Sequence, residues 1–76
     1  MPATTLYALS ELELTNIYLG TYFNLGIAYG RLNKPREAIK YFQKFIEIAT
    51  PEHTDKVIQV QKVILELEKI LKFQGE

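Results

Sequence analysis

The 76 residues predict an all-α fold: an antiparallel helical hairpin followed by a C-terminal amphipathic capping helix. Three observations carry this expectation. Apolar side chains recur at helical steps of three and four along most of the chain. Asn33 with Pro35, and then Pro51, mark the junctions between these periodic stretches. One stretch, Tyr22 to Pro51, has the proportions of two short helices joined by a link of a few residues, which forces an antiparallel pair.

The chain is expected to form one small domain, with an N-terminal segment (1–18), the hairpin (19–52) and a C-terminal helix (53–73). Met1 to Thr5 is expected to fray. Residues 6–14 are ambiguous. Leu6, Leu9 and Leu12 fall three apart, and Ser10 with Glu13 fits a capping box. Either a separate helix ends here or a new one begins at Ser10, with a possible break near Thr15-Asn16.

From Ile17 to Leu32 the row Tyr18, Tyr22, Leu25, Tyr29 and Leu32 steps by four, three, four and three. Phe23 and Ile27 form a second row. Gly20, Gly26 and Gly30 interrupt this helix, each at a cost of roughly 1 kcal/mol against alanine. Close backbone packing is the expected reason for all three.

Asn33-Lys34 ends that helix and Pro35 opens the next, where a missing N–H is harmless. Ala38, Phe42, Phe45 and Ala49 make one stripe of the second helix, widened by Ile39 and Ile46. Arg36, Lys40, Lys44 and Glu47 take the solvent side. Thr50-Pro51 stops it. A third helix, capped by Thr54 or Asp55, carries Val57, Val60, Ile64, Leu67 and Leu71 at heptad spacing. Val63 and Ile70 broaden that face, Ile58 and Leu65 lie to its other side, and Glu68 with Lys72 is expected to form an i,i+4 pair.

Tyr22, Leu25, Gly26, Tyr29, Ala38 and Phe42 resemble, in type and offset, the pattern of a tetratricopeptide repeat, a helix–turn–helix of about 34 residues. The resemblance covers residues 19–52. Tyr22 stands where the family usually has tryptophan. Phe45 stands where it has a small alanine, so the next helix is expected to stand further off or at another angle. Pro51 falls one residue late, and no second Leu-Gly-x2-Tyr follows. Residues 54–73 therefore resemble a capping helix.

The resemblance implies a protein-interaction module whose first helix lines a groove. It places Gly20, Phe23, Ile27, Gly30 and Arg31 on the partner-binding face. Relatives that clamp chaperone carboxylates carry lysine and asparagine at the positions of Phe23 and Ile27, so an apolar groove for a peptide or helix is expected instead. The N-terminal segment, a partner's helix or a second copy could cover Phe23 and Ile27. One repeat also offers little surface to a third helix, and repeats normally need about three neighbours. Either a homodimer or a piece of a longer repeat protein is therefore expected. Val57, Val60, Ile64, Leu67 and Leu71 are the candidate oligomer interface.

Other chemistries find little support. Nine basic residues balance nine acidic ones, which argues against nucleic acid or anionic membrane as partner. There is no cysteine, and the single histidine, His53, cannot make a zinc site alone; it is expected to be a solvated loop residue. No metal, cofactor or catalytic residue is expected. The glycines lack a preceding strand, so they do not make a phosphate loop. Tyr18, Tyr22 and Tyr29 are expected to pack in the core rather than stack on bases. No apolar run is long enough to span a bilayer and no leader pattern opens the chain; a cytoplasmic protein is the expectation.

Overall fold

The computed structural model describes residues 11–74. Three helices follow in order: α1 (Glu11–Arg31), α2 (Pro35–Ile48) and α3 (Thr54–Phe73), with a single 3-10 turn, Pro51–His53, before the last. The all-α hairpin with its capping helix is thus as expected. Leu6, Leu9 and Ser10 lie outside the described residues. The helix passes through Thr15-Asn16 without a break, so residues 11–14 extend α1 rather than fold back across it. At 21 residues α1 is longer than α2, at 14, and its first turns run past the end of its partner.

The α1–α2 link is a C-terminal cap of a defined kind. Asn33 adopts φ 60°, a left-handed conformation that asparagine tolerates better than most residues. This lets the Lys34 N–H reach the Tyr29 carbonyl (2.9 Å) and the Asn33 N–H reach that of Gly30 (3.1 Å). These two bonds are the Schellman motif, and they satisfy carbonyls that the helix end would leave open. Pro35 then begins α2 at a first-turn position.

α2 is the central element. Ala38, Ile39, Phe42 and Phe45 are buried on it, and with Leu19, Val60 and Ile64 they form the core. Ala38 is fully buried, small enough for a neighbouring helix to approach. Packing is tight at Gly26: a Cβ there would lie 2.6 Å from the Phe42 ring. Gly20 and Gly30 have no such reason, since an added Cβ would meet nothing within 4 Å. The expected packing role therefore holds for one glycine of three.

The heptad seam of α3 closes on this core. Val60 and Ile64 are buried, and Val57, Leu67 and Leu71 pack half-buried against the cluster. α1 packs on α2 and α2 on α3, but no Cα of α1 comes within 8 Å of one of α3. Phe45, almost wholly buried with its ring 5.7 Å from Phe23, fills the space between the hairpin's helices.

Four local expectations need correction. Leu25, read on one face with the tyrosines, does not belong to the core: it is half-buried, and Leu32 at the end of its row is exposed. Of the tyrosines expected to pack in the core, Tyr22 and Tyr29 pack half-buried against it, while Tyr18 is 54% exposed. Tyr22, Tyr41 and Tyr29 stack along the α1–α2 seam at 6.2 and 5.5 Å between rings, and Tyr18 leads the row from solvent. Neither Thr54 nor Asp55 caps α3. Thr54 is its first residue and its hydroxyl donates to the Pro51 carbonyl at 2.6 Å. His53 takes the cap position without a side-chain cap bond; it is half-buried, its Nδ1 2.9 Å from the Thr50 hydroxyl. On α3 the ion pair formed is Glu66 with Lys69 (3.6 Å), not Glu68 with Lys72. Both partners are well exposed, so the pair contributes little.

Candidate functional site

Because the backbone of α3 packs on α2 and stays clear of that of α1, a groove opens between α1 and α3. Its volume is about 500 Å³. Phe23, Ile27 and Gly30 line the α1 wall, Val60, Val63 and Leu67 the α3 wall, and Phe42 of α2 the floor. Phe23 is held edge-on against Phe42, rings 6.2 Å apart. The missing side chain at Gly30 leaves backbone open to the groove.

Polar groups sit at the edge. Arg31, Gln59 and Lys62 border the groove, and Lys56 places its ammonium 4.8 Å from the Phe23 ring centre. That contact is a cation–π interaction, worth about 0.5–1 kcal/mol at an exposed site. Among the described residues no carboxylate lines the groove, and the charged ones that do are cations.

Of the five residues expected on the partner-binding face, Phe23, Ile27, Gly30 and Arg31 line this groove. Gly20 lies in a smaller neighbouring depression with Asn16, His53, Glu52 and Lys56, about 290 Å³ in volume and also bordered by Phe23. The α3 wall was absent from the sequence reading. Val63 was counted there only as an extension of the heptad seam, yet it stands 41% exposed on the groove. Lys56 and Lys62 carried no signal beyond their positions on a polar face.

The candidate oligomer residues on α3 are engaged within the chain. Val60 and Ile64 are buried, and Val57, Leu67 and Leu71 are half-buried against the core. The surface that α3 leaves open consists of Ile58, Leu65, Val63, Ile70 and Phe73.

Among the described residues no group of three or more His, Asp or Glu side chains converges as a metal site. No described helix is long and apolar enough to cross a membrane.

The tetratricopeptide repeat family model matches residues 21–49, which run from the middle of α1 to the residue after α2. With the Gly26–Phe42 contact and the small Ala38 at the helix crossing, this hairpin is a tetratricopeptide repeat, closed on one side by α3. The repeat is in general a protein-interaction motif and non-catalytic. No curated protein and no solved structure matches the chain.

Proposed function

We propose that this chain is a non-catalytic interaction module that receives an amphipathic helix or peptide of a protein partner in the α1–α3 groove. The observation that carries the reading is the groove's lining. It is apolar along both walls, and its charged residues, Arg31 and Lys62, are cations. An amphipathic helix presents apolar anchors at i, i+3, i+4 and i+7. A cationic border favours one whose anchors are flanked by Asp or Glu, chiefly by raising the association rate and selecting against basic partners. The binding residues are Phe23, Ile27, Gly30 and Arg31 from α1 with Val63, Leu67 and Lys62 from α3. Gly20 belongs to the adjoining depression and serves a longer ligand.

The test is a fluorescence-anisotropy titration with two synthetic helical peptides. Both carry leucine anchors; one has glutamate flanks and the other lysine flanks. The glutamate peptide is expected to bind more tightly. Val63→Asp, which alters a groove residue outside the buried core, should abolish that binding while helicity is kept. Equal binding of both peptides, or binding untouched by Val63→Asp, would contradict the reading.

A second reading, self-association, is favoured by the apolar surface of α1 that neither α2 nor the groove uses.

A further inference from the structure

We propose that a second copy of this chain packs antiparallel against the outer face of α1, making a two-fold dimer that leaves both α1–α3 grooves open. Leu14, Tyr18, Thr21, Leu25, Ala28 and Leu32 recur at steps of four, three, four, three and four, the spacing of a coiled-coil seam. The seam looks away from α2. Leu14 is 40% exposed, Tyr18 54% and Leu32 63%. Thr21 and Ala28 are exposed and Leu25 half-buried. None of the six belongs to the core or to the half-buried side chains packed on it.

From Leu14 to Gly30 the helix holds no Asp, Glu, Lys, Arg or His. A helix stripe that is apolar along its length normally faces a packing partner. α2 covers only one side of α1, and the groove opens along another.

The identity of the occupant follows from the seam's match to itself. An antiparallel pair related by a two-fold axis at the level of Phe23 sets Leu14 against the second copy's Leu32. It sets Tyr18 against Ala28 and Thr21 against Leu25. Each of the last two layers joins a larger side chain to a smaller one, as interdigitating packing requires. The Thr21 hydroxyl already donates to the Ile17 carbonyl at 2.9 Å, so covering it strands no polar group.

The charges agree. Glu11 and Glu13 occupy the first turn of α1, Arg31 the last, and Lys34 lies just beyond. Antiparallel packing brings the acidic end of each α1 to the basic end of the other and opposes their macrodipoles. Parallel packing would set like against like. Three heptads are short for an isolated coiled coil. Here α2 already holds each helix in shape, so association carries little ordering cost.

Sedimentation equilibrium of the full chain, from low to high micromolar concentration, tests this. The expected result is a monomer–dimer equilibrium that Leu25→Asp weakens about tenfold or more with helical circular dichroism retained, and that Leu65→Asp on α3 leaves unchanged. Because the chain has no cysteine, Leu14→Cys and Leu32→Cys can be mixed under oxidising conditions. A disulfide between the two variants, and little within either alone, is expected. A chain monomeric throughout, a folded Leu25→Asp that still dimerises, or cross-linking of Leu14→Cys mainly to itself would each overturn the proposal.

Discussion

Gly26 of α1 faces the Phe42 ring of α2 so closely that a methyl group on Gly26 would sit 2.6 Å from ring carbons. Two opposed effects meet there. Alanine would raise the helix propensity of α1 by roughly 1 kcal/mol. It would also overpack a contact bounded by an almost fully buried ring, at about 1–3 kcal/mol. The ring cannot swing away without disturbing Phe23, which leans on its edge. Gly26→Ala is therefore expected to lower the melting temperature measured by circular dichroism.

Gly20→Ala should do the opposite. Nothing lies within 4 Å of its added Cβ, so only the propensity gain of about 1 kcal/mol remains. The pair of melts separates the close-packed glycine from the open one. Equal destabilisation by both substitutions would place a second helix against Gly20.

Asn33 supplies the left-handed residue of the α1 cap. Asn33→Gly should be neutral or slightly stabilising, because glycine bears no Cβ penalty in this conformation. Asn33→Ala should cost about 1 kcal/mol by the same argument. Chemical denaturation with an unchanged slope checks both.

Phe45 is buried to within 2% and touches Phe23 across the hairpin. Truncation to alanine should cost about 3–5 kcal/mol. Much of a small domain's stability is of that size, so Phe45→Ala is expected to be largely unfolded at 37 °C. A folded and undiminished variant would remove Phe45 from its central place in the core.

Much of this arrangement was legible in the residues. Pro35 marked the start of α2 and Thr50-Pro51 its end, and small Ala38 and Gly26 with bulky Phe42 marked the crossing of the hairpin. The heptad steps of α3 marked the face that closes on α2. What was misread was mostly the direction of the row from Tyr18 to Leu32 on α1. That helix has no charged residue between Leu14 and Gly30, so no polar face distinguished the side toward α2 from the side toward solvent. Leu25 was consequently placed with the packed tyrosine row although it lies outside the core, while Leu19, which is core, was not singled out.

The groove was half legible. The resemblance named the α1 wall, but the α3 wall depends on how α3 leans. Phe45 was expected to hold the next helix off, yet its ring packs between α1 and α2, 5.7 Å from that of Phe23, and does not give the lean of α3. Lys56 over Phe23 and Lys62 at the edge follow from that lean alone. The cap of α3 was misread because Pro51 opens a 3-10 turn, which moved the cap position from Thr54 back to His53.

The most direct measurement is amide chemical-shift mapping of the full chain with the glutamate-flanked helical peptide. The account predicts perturbations gathered at Phe23, Ile27, Gly30, Val63 and Leu67, the two walls of one groove. Perturbations centred instead on Ile58 and Leu65, on the opposite face of α3, or none at all, would contradict it.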